Sequence, residues 1–199
     1  MELLDVRRSV LVVIDIQGKL VEMVHRPAMV LGATVRLVRL AGMFGVPVVL
    51  TEQYPKGLGP THPDVKEAWD ALPGPKAYVD KTSFGCCGDA AFEKALATLL
   101  PGRRPAERQV VVAGIESHVC VLQTVFELLG TGHGVFLSWD AVSSRGEEYR
   151  RHALERMVAA GAQLTNHESV AFEWMRDKVH PGFKAVSTLF KEGQPGSGL

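Results

Sequence analysis

The stretch VVVAGIESHVCVLQT, residues 110–124, passes from an unbroken apolar run through a short polar step into a helical pattern. A run of this kind is what a strand covered on both faces looks like, because neither side meets water. Ala113-Gly114 closes the strand, and Ser117 fits the N-cap position of a helix carrying Leu122, Val125, Phe126 and Leu129 on one face. The same strand-turn-helix order recurs on either side of it. SVLVVID (9–15), VPVVLT (46–51), KAYVDK (76–81), RQVVVAG (108–114), GVFLSWDAV (134–142) and AQLTN (162–166) read as six strands.

Helical patterns separate the strands. Leu37, Leu40, Ala41 and Phe44 recur at one-face spacing before Gly45. Asp89 caps a helix with Phe92, Ala95, Leu96 and Leu99 on one face, and further helices are predicted over 146–160 and 182–191. Residues 55–75 form a Pro/Gly-rich excursion, read as solvated loop. Continuous apolar strands joined by amphipathic helices predict a single-domain, doubly wound, Rossmann-like α/β fold: three α/β/α layers around a six-stranded parallel sheet. The domain is expected over residues 1–191, with 192–199 as a flexible tail.

The chain has 199 residues, 46% hydrophobic, with 22 basic against 22 acidic side chains, so nothing in its charge calls for nucleic acid or an anionic membrane. The N-terminal stretch places acids before its apolar run and lacks a small-residue cleavage site, so a cytoplasmic location is expected. Three cysteines, two of them adjacent at Cys86 and Cys87, do not make a disulfide framework. No phosphate loop, nucleophile elbow or paired metal-ligand spacing is present; GTGHG (130–134) follows a helix and precedes a strand, the reverse of a dinucleotide fingerprint. No metal or cofactor is expected.

Open α/β sheets bind ligands beyond the carboxyl ends of their strands. Asp15, Thr51, Lys81 and Gly114 all fall at such ends and are expected to share one crevice. Cys120 follows in the first turn of a helix, where free amides and the helix dipole favour an anion and lower a thiol pKa. Lys81 adds positive charge, Asp15 can take the thiol proton, and the 114–120 turn can aim amides at an oxyanion. Each residue also has a plain reading, since cysteine packs as a small apolar group and Asp15 or Lys81 can cap a loop or meet solvent.

At these residues the chain resembles the isochorismatase-like superfamily of cysteine hydrolases, in its isochorismatase domain-containing branch. VLVVIDIQGKL (10–20), TEQYPKGLGPTHP (51–63), DKTSFGCC (80–87), VVVAGIESHVCVLQT (110–124) and NHESVAFE (166–173) carry the likeness over nearly the whole chain. The resemblance implies an Asp15–Lys81–Cys120 catalytic triad, a cis peptide at Ile115–Glu116, and an oxyanion hole formed by the Glu116 and Cys120 amides. It also implies a homo-oligomer acting on a small-molecule substrate, with no nucleic acid or membrane partner. Gln17, Tyr54 and Phe84 are expected in the pocket wall. Where nicotinamidases of the superfamily carry an Asp-x-His metal motif, this chain reads Thr51-Glu52-Gln53-Tyr54, which argues against that metal and that activity. The presence of Cys120 separates it from isochorismatases proper and points to acyl chemistry on an amide, imide or related C–N bond through a thioester. Two alternatives stay open: an inactive binding or scaffold protein, and a thiol redox sensor in which Cys86 or Cys87 resolves Cys120.

Overall fold

A computed structural model describes residues 2–191, so the expected tail at 192–199 lies outside the described residues. Six strands form one parallel sheet: β1 (Ser9–Ile14), β2 (Val48–Gln53), β3 (Lys76–Lys81), β4 (Gln109–Ile115), β5 (Gly134–Ser143) and β6 (Gln163–Thr165). Their order across the sheet is β3-β2-β1-β4-β5-β6. The winding reverses between β1 and β4, which opens a crevice beyond their carboxyl ends.

Eight α-helical segments are described: α1 (Pro27–Phe44), α2 (Pro55–Leu58), α3 (Pro63–Asp70), α4 (Ala90–Leu99), α5 (Leu122–Gly130), α6 (Glu147–Ala159), α7 (His167–Met175) and α8 (Phe183–Lys191). The alternation of each strand splits the core in two. Leu11, Val13, Val48, Leu50, Val111 and Ala113 face one layer with α1, α7 and α8, whereas Val10, Val12, Ile14, Val49, Val110 and Val112 face α4, α5 and α6. By length and apolarity α1 resembles a membrane span, yet Val30, Ala33, Leu37, Val38, Leu40 and Ala41 bury one stripe against the sheet.

Three helices were not legible as helices, the four-residue α2 among them. The expected loop at 55–75 contains α3, whose His62 imidazole accepts a hydrogen bond from the Asp64 amide at 3.3 Å and so caps its start. Pro63 and Asp64 there suit a first helical turn, where a missing N–H costs nothing and an acid meets the dipole. Likewise Asn166 accepts from the Ser169 amide at 2.8 Å and starts α7. Ser117 proved not to be an N-cap. Glu116 holds that position without a side-chain cap, and the Ser117 hydroxyl is buried with no partner. The chain enters α5 through a wider π turn, Ser117–Val121.

Candidate active site

The crevice draws on four strand ends. Asp15 follows β1 with φ of 51°, a left-handed conformation that aspartate tolerates better than most residues. The residue is 5% exposed, and each carboxylate oxygen has a donor. The Thr51 hydroxyl from β2 donates to Oδ1 at 2.6 Å, and the Lys81 ammonium from β3 donates to Oδ2 at 2.7 Å. Gly114, at φ of 140°, lies against β1 so closely that a Cβ would fall 2.2 Å from the Ile14 carbonyl oxygen. Only glycine lets β4 end so near Asp15.

Lys81 is fully buried for so large a cation, and its acceptors converge from three directions. Besides Asp15, Gln53 Oε1 accepts at 2.8 Å, and the carbonyls of Ser83 and Phe84 accept at 3.2 and 3.1 Å. An ammonium has three protons, and here every one finds an acceptor. The arrangement suits a fixed positive charge that orients Asp15.

Cys120 sits 7% exposed in the turn after β4, and its carbonyl accepts from Thr124 Oγ1 at 2.7 Å. Its thiol pKa is pushed up to about 12, by burial first, then by the Asp15 charge and by hydrogen bonding with that carboxylate, with Lys81 offsetting part. The expected lowering by the helix start is therefore outweighed, because burial and an adjacent anion both disfavour a thiolate. The sulfur thus keeps its proton at rest, and any attack by it would need that proton removed as the attack proceeds.

The Ile115–Glu116 peptide is cis. The Glu116 carboxylate accepts from the Arg145 guanidinium at 2.9 Å, and the next turn is fastened by His118, whose Nδ1 pairs with Ser144 Oγ at 2.9 Å. The His118 ring also stacks on Tyr149, 4.8 Å between centroids. The segment between β5 and α6 thus braces the turn that carries Cys120.

Of the expected wall residues, Tyr54 and Phe84 are both more than half exposed and both tied to Lys81. The Tyr54 amide donates to the Lys81 carbonyl at 2.9 Å, and the Phe84 carbonyl accepts from its ammonium. Gln17 is placed differently: it is fully buried. Its amide oxygen accepts from the Gln53 N–H at 2.6 Å, and its Nε2 donates to the carbonyls of Gln53 and Gly59 at 3.1 and 2.8 Å. With both ends of the amide committed to backbone, Gln17 clamps β2 to the 54–61 segment.

In Thr51-Glu52-Gln53, sequence reasoning placed Thr51 in the crevice and passed over Glu52 and Gln53 as contributors to it. All three are buried at the end of β2, and polar side chains continuing a buried strand were the available sign. Glu52 Oε1 accepts from the Thr61 amide and hydroxyl, each at 2.7 Å, and Oε2 accepts from the Tyr78 hydroxyl at 2.7 Å. With both its oxygens committed, Glu52 fastens the loop and is poorly suited to serve as a ligand in the place of the Asp-x-His motif. Among the described residues no group of three or more His, Cys, Asp or Glu is placed to hold a metal ion.

A protein-family model described as Isochorismatase domain matches residues 9–169. Isochorismatase domain-containing protein 1 of Danio rerio is 41% identical over 164 residues, which is 82% of this chain and 54% of that relative. The chain thus spans about half the length of that curated relative. A structure of MAR1 ribonuclease from Caenorhabditis elegans is 35% identical with a TM-score of 0.86, covering 100% of this chain and 97% of that one. The ycaC gene product of Escherichia coli, described as an octameric hydrolase of unknown specificity, is 28% identical with a TM-score of 0.83, covering 94% and 89%.

Proposed function

The chain belongs to the isochorismatase domain family, and on that premise we propose that it is a metal-independent cysteine hydrolase that cleaves a C–N bond in a small amide or imide. The observation that carries this reading is the buried Asp15 carboxylate, held by Thr51 and Lys81 and near enough to the Cys120 thiol to raise its pKa. As sulfur attacks the substrate carbonyl, Asp15 takes the thiol proton. The amides of Glu116 and Cys120 receive the oxyanion. Asp15 then passes its proton to the departing amine, and a thioester remains on Cys120. Water, deprotonated by Asp15, releases the acid and restores the thiol. Lys81 keeps Asp15 oriented and balances its charge, while Tyr54 and Phe84 frame the entrance.

The test is acylation by p-nitrophenyl acetate, followed by intact mass and by peptide mapping. The expected result is one acetyl group on Cys120, lost in Cys120→Ala. Modification of Cys86 or Cys87 at the same rate would instead indicate a relic site on a binding protein. A screen of amides and imides for amine release, with Cys120→Ala as control, then names the substrate. The name of the Caenorhabditis elegans protein makes RNA a second substrate to try, read by strand cleavage on a gel with the same Cys120→Ala control. The octameric Escherichia coli structure supports a homo-oligomer, checked by light scattering.

A further inference from the structure

We propose that Thr51 is a positioning residue for the base: its hydroxyl fixes one oxygen of Asp15 so that the carboxylate presents a free lone pair to the Cys120 thiol. The inference rests on the hydrolase reading above and adds to it a residue that acts through Asp15.

Thr51 holds Asp15 twice. In the parallel register it lies beside Ile14, and its carbonyl accepts the Asp15 amide at 3.2 Å. Its hydroxyl then donates to Oδ1 at 2.6 Å with both side chains shielded from water. Backbone and side chain of one residue thereby fix both the position of Asp15 and the rotation of its carboxylate. Lys81 alone would not do this, because a single donor on Oδ2 leaves the group free to swing about that contact.

The buried Cys86 belongs to the same neighbourhood through its backbone. Its amide donates to Thr124 Oγ1 at 3.0 Å, and Thr124 in turn donates to the Cys120 carbonyl.

A hydroxyl donated to a carboxylate favours the charged form. Removing it therefore has two consequences of known sign. The carboxylate loses its aim, which slows proton removal, and its charged form loses a donor, which moves the acid limb of the rate profile to higher pH.

The experiment is the rate of Cys120 acetylation by p-nitrophenyl acetate from pH 4 to 9. Thr51→Val, nearly isosteric, is expected to slow acetylation roughly 10- to 100-fold, the range for a lost hydrogen bond to a charged group. Its acid limb should move up, and Thr51→Ser should restore rate and limb together. An unchanged rate and limb in Thr51→Val overturns the proposal, as does a slower rate with an unmoved limb. Should the valine variant fold poorly, Thr51→Ala against Thr51→Ser makes the same comparison, since those two differ only by the hydroxyl. If wild-type acetylation does not require Cys120, the hydrolase reading fails and this inference with it. If it does require Cys120 and the Thr51 variants are indifferent, only the positioning role fails.

Discussion

Two buried aspartates belong to this sheet, Asp15 just after β1 and Asp140 within β5, and only the first has a cysteine thiol near it. Asp15 pairs with Lys81 at 2.7 Å at the point where the sheet reverses its winding. Asp140, on β5 near the sheet edge, pairs with His167 Nδ1 and accepts from Ser138 Oγ at 2.7 Å. It also accepts the His167 amide at 3.3 Å, which ties the start of α7 to β5. The His167 ring packs on Phe190 of α8, 5.6 Å between centroids, so this cluster joins elements of the fold. Ser138, Asp140 and His167 are the residue types of a hydrolytic triad, but the acid stands in the middle and the serine donates to it. A serine so placed gives no proton to the histidine and gains no nucleophilicity. What separates the two clusters is connectivity, since Asp15 alone has a thiol against it.

The comparison is broken most directly at the cation. Lys81→Met should leave the Asp15 carboxylate buried without its charge partner, at a cost of about 3–5 kcal/mol in unfolding stability by urea titration. Acetylation of Cys120 should fall with it. Breaking the other pair should cost less, because a histidine can become neutral when its acid is lost. A penalty for Asp140→Asn equal to that of Lys81→Met would show that the two pairs are alike after all.

Next in size is Asp15→Asn, whose two expected effects have opposite signs. Acetylation at pH 7 should drop about 100-fold or more, the usual contribution of a positioned base. The thiol pKa, however, is about 12 partly because of the Asp15 charge, while Lys81 pulls the other way. With the charge gone the thiol should ionise more readily, so iodoacetamide should alkylate Cys120 faster than wild type at pH 9. An unchanged rate of alkylation would mean that burial alone sets the thiol.

That sign is where the sequence was least legible, and the reason is physical. The strand ends, the parallel order and the crevice follow from local patterns: apolar runs, caps and the Ala113-Gly114 stop. The convergence of Asp15, Lys81 and Cys120 could be read from the same strand ends. The state of the thiol could not, because burial and a carboxylate 105 positions away in the chain are properties of packing. Thr51 was visible as a strand end, but its grip on Asp15 crosses from one strand to another. Gln17 shows the same limit from the other side: its type suits a pocket wall, and only the fold commits its amide to Gln53 and Gly59.

The Asp140 cluster yields the next prediction, on stability and pH. Burial alone would raise the Asp140 pKa, but hydrogen bonds from His167 and Ser138 outweigh it and hold the carboxyl below its ordinary value. A depressed folded pKa means stability that is present above the unfolded value near 3.9 and is lost as pH falls through the folded one. Asp140→Asn should therefore lower stability by about 1–3 kcal/mol at pH 7 and flatten the acid unfolding curve below pH of about 4. Its acetylation rate should match wild type. A loss of acetylation in the folded variant would place Asp140 in the site and dissolve the contrast with Asp15.

The smallest expected effect sharpens the contrast with a third buried acid. Among the described residues, Glu52 is held by the two Thr61 donors and the Tyr78 hydroxyl, with no ion pair. Tyr78 is itself 46% exposed, so when its hydroxyl is removed water can reach the freed oxygen and repay part of the loss. Tyr78→Phe should cost about 1 kcal/mol or less, below the roughly 1.5–3 kcal/mol of a fully buried charged hydrogen bond. The same substitution frees no donor in the crevice, because Thr61 still holds the other Glu52 oxygen and Gln17 still clamps the 54–61 segment. Acetylation should then keep both its rate and its acid limb, whereas Thr51→Val moves both. If Tyr78→Phe instead shifts the limb, the end of β2 acts as one connected unit and the grip on Asp15 extends beyond Thr51.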